Sequence, residues 1–217
     1  PDTMMMEMED RGFAGGGLLK RALKGAQAAL PAAEREANKA KFLEPSVEKG
    51  KFYHSTAKDI KQFIPGGSSR ATFVTPNAKF AEDFALDNFA KPGDDQFLQG
   101  TNTMPVRVQV KNPFDYENPE HIQDLKDALR HKRWLDEEIE GMGDFEHNWH
   151  HVEHPDIQDA IRRLGHDAFY SAERGTKNLG VYDPRKIKSD LGNTGIYDIT
   201  DPDINKAQGG LTKAKRK

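Results

Sequence analysis

Five short apolar stretches, Phe52-His54, Thr72-Thr75, Val106-Val110, Ala168-Tyr170 and Leu179-Tyr182, are spread through the chain with helical periodicity between them. Several alternate or are β-branched, as partly buried strands are. Short strands spread this way suit an α+β domain. Thr75 as N-cap and Pro76 at the first helical position predict a helix with Phe80, Ala81, Phe84 and Ala85 on one face, continued by Phe89. That face holds Phe84 toward the sheet. Asn112-Pro113-Phe114-Asp115 reads as a turn, because the residue before proline avoids the helical region. A charged helix is expected from Pro119 to about Ile139, with Ile122, Leu125 and Leu129 facing inward and Trp134 extending the row. Another is expected from Pro155 to Leu164, ended by Gly165.

The ends read differently. Residues 1–17 combine a methionine cluster with Gly15-Gly16-Gly17 and form a flexible tail; residues 18–41 are an amphipathic helix or linker, with Leu19, Leu23, Ala26 and Leu30 in helical register and Pro31 interrupting it. The folded domain is expected over 42–204, and 205–217 is a basic tail. Pro1 fits a fragment or a chain that has lost its methionine. The 217 residues are enough for one core, and 35% hydrophobic against 31% charged places part of the length outside it.

Composition also excludes function classes. There is no cysteine, so thiolate and disulfide chemistry are ruled out. No apolar run approaches the roughly 18 residues of a membrane span, and the first residues lack the charged-then-apolar order of a signal peptide, so the chain reads as soluble with no membrane partner. A net charge of −3 argues against a general nucleic-acid-binding surface, and Lys213 with Lys215-Arg216-Lys217 reads either as a solvated tail or as a weak electrostatic contact to nucleic acid or an acidic partner.

Three separated signals carry possible chemistry. The first is Tyr53-His54-Ser55-Thr56 on a strand, where His54 is either a satisfied core histidine or a donor and acceptor for a ligand. In the second, Phe73 on a strand and Phe84 on the following helix stand eleven residues apart; they are either core residues or two π-faces for a flat ring. Asn178-Leu179-Gly180-Val181-Tyr182-Asp183-Pro184 is the third, followed by Ile187-Lys188-Ser189 and Gly192-Asn193-Thr194-Gly195-Ile196-Tyr197-Asp198. A separate cluster, His147, His150, His151 and His154, is either a polar helical segment or a zinc site with a hydrolase around it, but cysteine and a usual third ligand are lacking. The glycine pairs lack the context of a phosphate loop.

Together the three signals resemble the ADP-ribosyltransferase-like domains of phage and mobile-element polyvalent proteins, over residues 42 to 204. The resemblance implies a split β-sheet core with flanking helices, preceded by an N-terminal helix. It also implies NAD as co-substrate, cleaved at the nicotinamide bond so that ADP-ribose passes to a host macromolecule, protein or nucleic acid. In that frame His54 holds the ribose, Ser55 and Thr56 the amide or ribose, and Phe73 and Phe84 the ring, with Ala81 on the same helix face. Asn178 stands where the family often has a catalytic glutamate; an amide can bind the ribose hydroxyl but supplies no charge and takes no proton. Glu173 is the nearby carboxylate that could compensate. No metal is implied. The location implied is a virion or the host cytoplasm, with other virion proteins as further partners. The alternative is a non-catalytic module that keeps the fold as a structural or ligand-binding virion component.

Overall fold

The computed structural model describes residues 30–56, 60–67, 69–89 and 102–205. In chain order its elements are α1 (Ala32–Leu43), β1 (Phe52–Thr56), β2 (Thr72–Val74), α2 (Ala78–Phe89), β3 (Asn102–Val108) and β4 (Pro113–Phe114). They continue with α3 (Pro119–Leu129), α4 (Asp136–Gly141), α5 (Trp149–Val152), α6 (Pro155–Arg163), β5 (Ala168–Glu173), β6 (Thr176–Val181) and β7 (Ile187–Ser189). This is the α+β class expected.

The strands divide into two sheets, β1-β3-β7 and β2-β6-β5-β4. All pairings within them are antiparallel except β4 with β5. Among the described residues one bridge, Tyr53 to Thr75, joins the sheets at β1 and β2. Alternation decides what lies between them: Phe52, Val106 and Val108 point inward from the first sheet and Val74, Leu179 and Val181 from the second, all buried. Each such side chain contributes about 1.5–3 kcal/mol of burial. A second core forms where Leu125, Leu129, Ile157 and Ile161, on the inner faces of α3 and α6, meet Phe114 and Phe169 of the second sheet.

Behind β7 the chain forms a strap. The ammonium of fully buried Lys188 donates to the carbonyls of Asp201 (2.5 Å) and Asp203 (3.1 Å). Ile204 N–H donates to the Lys61 carbonyl at 2.8 Å, so the strap also holds the loop that follows β1. The helix α1 packs on this region: Asn38 Nδ2 donates to the Gly195 carbonyl at 2.9 Å, and the Phe42 and Tyr197 rings lie 5.5 Å apart. Gly195 has φ +113°, and a Cβ there would strike the Arg35 side chain.

Several expectations need correction. The helix after β2 begins at Ala78, and Asn77 caps it by accepting from Lys79 N–H (3.0 Å) and Phe80 N–H (3.1 Å); Thr75 is held back by its bridge to Tyr53. On α2, Ala81 and Ala85 are buried, but Phe84 is 38% exposed and stacks on Phe80 instead of facing the sheet. Pro113 and Phe114 form a parallel strand because the Asp167 carboxylate accepts from the N–H groups of Lys111 and Asn112 and holds the segment beside β5. The long helix ends at Leu129, since Lys132 leaves helical geometry (φ −118°, ψ 59°) and its ammonium pairs with Asp156 at 2.6 Å. Trp134 then falls on a short 3-10 turn and is 61% exposed. Of the expected segment 18–41 only residues 30–41 are described, and from Ala32 they belong to α1; the tail 1–17, residues 18–29 and residues 206–217 lie outside the described residues.

Candidate active site

His54 sits where the two sheets part. At Tyr53 both backbone bonds to Thr75 are made, 2.7 and 3.0 Å, and one residue further on the His54 imidazole takes over: its Nδ1 lies 2.8 Å from the Phe73 carbonyl. A carbonyl only accepts, so Nδ1 carries the hydrogen and Nε2 presents a lone pair. Burial pushes the His54 pKa below its ordinary value, partly offset by the bond to Phe73, so the ring is neutral at pH 7. Its edge contact with Phe63, ring centres 4.8 Å apart, fixes the plane.

The register places the next group of residues. Phe73 pairs with Gly180 across β2 and β6, and Phe169 pairs with Gly180 across β5 and β6, so all three share one face. The rings of Phe73 and Phe169 meet edge to face at 5.6 Å. Glycine is required between them, because a Cβ at 180 would overlap the Phe169 ring. Stepping by two along β6 from Gly180 gives Asn178 and then Thr176, which pairs with Glu173. Phe73, Asn178 and Glu173 therefore lie on one face, with Glu173 and Asn178 as diagonal neighbours. Asn178 is 6% exposed, and its Oδ1 is buried with no hydrogen-bond partner among the described residues. A buried acceptor left open in this way suits a ligand hydroxyl or N–H.

The β5–β6 hairpin closes through Arg174 and Gly175, both with positive φ (50° and 70°), the geometry of a two-residue turn that matches strand twist. Arg174 Nη1 donates to Asp87 at 2.7 Å. Asp87 is three residues beyond Phe84, so this ion pair sets the helix that carries Phe84 beside the turn that carries Glu173. Burial raises the Glu173 pKa, while Arg174 and His147 oppose the rise. Glu153, at the end of α5, was not singled out from the sequence. Burial pushes its carboxyl up to about 7, against the lowering effect of the Ser69 hydroxyl, and the Glu173 charge adds to the rise. Nothing in the local sequence marks it, since its environment is assembled from three distant segments.

The structure does not group every residue of the sequence reading. Ser55 lies on the opposite face of β1 from His54 and Thr56, and its Oγ is 2.6 Å from Thr103 Oγ1. By the Tyr53–Thr75 bridge its face continues that of Phe73 and Asn178, whereas His54 is on the side of Val74 and Leu179 and packs on Phe63. The aromatic partner of Phe73 is Phe169, and that of Phe84 is Phe80. The four histidines have separate tasks. His151 Nδ1 is 2.7 Å from Glu138, His154 Nδ1 accepts from Asp156 N–H, His147 is 3.7 Å from Asp144, and His150 packs on Trp149. Among the described residues no helix is long and apolar enough to cross a membrane.

Comparison with known proteins adds a family. Residues 48–197 match the family described as ADP-Ribosyltransferase in polyvalent proteins. No curated protein matches the sequence. A solved structure described as the crystal structure of an anti-CRISPR protein is similar at 11% identity, covering 64% of this chain and 93% of that one, with a TM-score of 0.41.

Proposed function

The chain belongs to the ADP-ribosyltransferases of polyvalent proteins, and on that premise we propose that it binds NAD at the parting of the two sheets and transfers its ADP-ribose to a host macromolecule. The observation that carries this reading is the buried, unpartnered Oδ1 of Asn178 on the strand next to the one His54 bonds. Both groups are acceptors: Oδ1 receives one ribose hydroxyl on the face it shares with Phe73, and Nε2 of His54, on the other face of the sheet edge, receives another where the sheets part. Phe73 supplies an apolar wall for the nicotinamide, with Phe84 on the adjoining helix.

In the reaction the bond between the ribose C1′ and the nicotinamide nitrogen breaks, and nicotinamide leaves neutral with the electron pair. Positive charge develops on the ribose, the acceptor's nucleophile bonds to C1′, and its proton passes to a base. Asn178 offers a dipole but no charge to that ribose. Glu173, diagonal to it on the same face, complements the charge and takes the proton in this reading. Holding the ribose and ring in a fixed conformation supplies part of the rate. Raised pKa values at Glu153 and Glu173 fit a site that works on proton transfer.

The absence of a glutamate at 178 also supports a second reading, a ligand-binding module without turnover. The deciding experiment measures NAD binding by calorimetry and nicotinamide release for wild type, His54→Ala and Asn178→Glu. Transfer predicts release by the wild type, a loss of at least ~100-fold in His54→Ala, and a gain in Asn178→Glu. Binding without release in the wild type and Asn178→Glu identifies the module. Activity that survives His54→Ala unchanged places the site elsewhere.

A further inference from the structure

After α3 the chain runs Arg130-His131-Lys132-Arg133-Trp134, a second basic run besides the terminal lysines. Cations after a helix C-terminus are ordinary, since they complement its dipole. Here only one is accounted for: Lys132 is paired with Asp156 at 2.6 Å. Arg130 and Arg133 are exposed, and neither forms an ion pair among the described residues. Between these charges and α6 stands Trp134, 61% exposed although its contact is ordered: its ring meets His154 at 5.4 Å and 71°. His154 is itself fixed, because its Nδ1 accepts the Asp156 N–H at 3.2 Å and so caps α6. The result is a large aromatic surface presented to solvent on a rigid mount, flanked by two unpaired guanidinium groups.

We propose that the Arg130–Trp134 turn, backed by His154, is a docking site for single-stranded nucleic acid. Trp134 stacks on one base, and Arg130 and Arg133 hold the adjoining phosphates. Every base has a π-face and every linkage a phosphate, so the pairing of an open indole with free arginines fits this partner without sequence readout. An acidic peptide would engage the arginines but has no use for the indole. An anionic membrane would meet Asp136 and Glu137, exposed in the first turn of α4, across a broad front. The same two carboxylates limit the site to one or two nucleotides. The net charge of −3 is compatible with it, because the attraction is local and falls with salt. This site stands independently of the transfer reaction and adds a nucleic-acid partner to the protein.

The test is fluorescence anisotropy of a labelled single-stranded 12-mer titrated with the full chain at low and rising salt. Two phosphate contacts predict a slope of log affinity against log salt of about −1.4. The double variant Arg130→Gln/Arg133→Gln should bring the slope close to zero. Trp134→Ala should weaken binding about tenfold with the slope unchanged, and Trp134→Phe should retain most of the affinity. Thermal melts of the variants matching the wild type confirm that only the surface has changed. No binding at low salt overturns the proposal, as does binding indifferent to Trp134→Ala. Two further results also overturn it: loss of binding only when residues 206–217 are removed, or equal affinity for phosphatidylserine vesicles or a polyglutamate peptide.

Discussion

Two buried amides, Asn193 in the strap behind β7 and Asn178 on the face of β6, are treated in opposite ways, although the strap also holds a buried Thr194 Oγ1 with no hydrogen-bond partner among the described residues. In the strap, Lys188 is sealed in with its ammonium bonded to two carbonyls, and Asn193 there accepts from Gly195 N–H and donates to Ile204 O. On β6, Asn178 is nearly as buried but its acceptor has no donor among the described residues. Folding alone gains nothing from an open acceptor, which carries a penalty of about 1–3 kcal/mol. If Asn178 holds NAD as proposed, the contrast separates groups that serve architecture from one that serves a ligand, and stability and ligand measurements should divide along the same line.

The largest effect is expected at Lys188. Lys188→Met fills the space but strips two carbonyls of their donor, and should lower stability by about 3 kcal/mol, read as a fall of about 6–12 °C in Tm. A neutral result would remove the strap from the architectural side. Next, Gly195→Ala meets both a positive φ and the Arg35 side chain, so a loss of about 2 kcal/mol in denaturant unfolding is expected. An unchanged midpoint would show that α1 docks without this close approach.

A third measurement is pH dependence at Glu153. Its folded pKa of about 7 lies above the unfolded 4.5, so the folded state binds the extra proton between them, and wild-type stability falls as pH rises through that window. With allowance for residual solvent the fall is about 1–2 kcal/mol, and Glu153→Gln should flatten it. A wild-type profile already flat from pH 4.5 to 7 would deny the carboxyl its raised pKa. The smallest stability effect is expected at Asn178: Asn178→Ala should change unfolding by no more than about 1 kcal/mol while weakening NAD binding. A loss as large as that of Lys188→Met would place the amide on the architectural side after all.

Local chemistry explains what the sequence made legible. Phe52, Val106, Ala168 and Leu179 are apolar and flanked by breaks, so their strands could be read directly, although all four strands run beyond the stretch that marks them at one end, and those at Val106 and Leu179 begin earlier and stop short of Val110 and Tyr182. His54 and Asn178 could be singled out because a strand motif carries each. The misses were set by distant partners. Lys132 leaves the helix for Asp156, Thr75 is withheld from capping by Tyr53, and Pro113 is drawn into a parallel strand by Asp167. Glu153 and the Arg174–Asp87 link were illegible for the same reason, since each depends on segments far apart in the chain.

The bond from His54 to the Phe73 carbonyl has a mechanical consequence. Continuing the antiparallel pattern past Tyr53 and Thr75 would oppose Ser55 to Phe73, and the Ser55 N–H would then take that carbonyl. The imidazole occupies the acceptor first and acts as a wedge, stopping the two sheets from zipping into one. Removing the ring frees the carbonyl for the backbone, so His54→Ala shuts the gap as well as stripping a contact from it. His54→Gln, whose amide can still reach as a donor, keeps the wedge and isolates the contact.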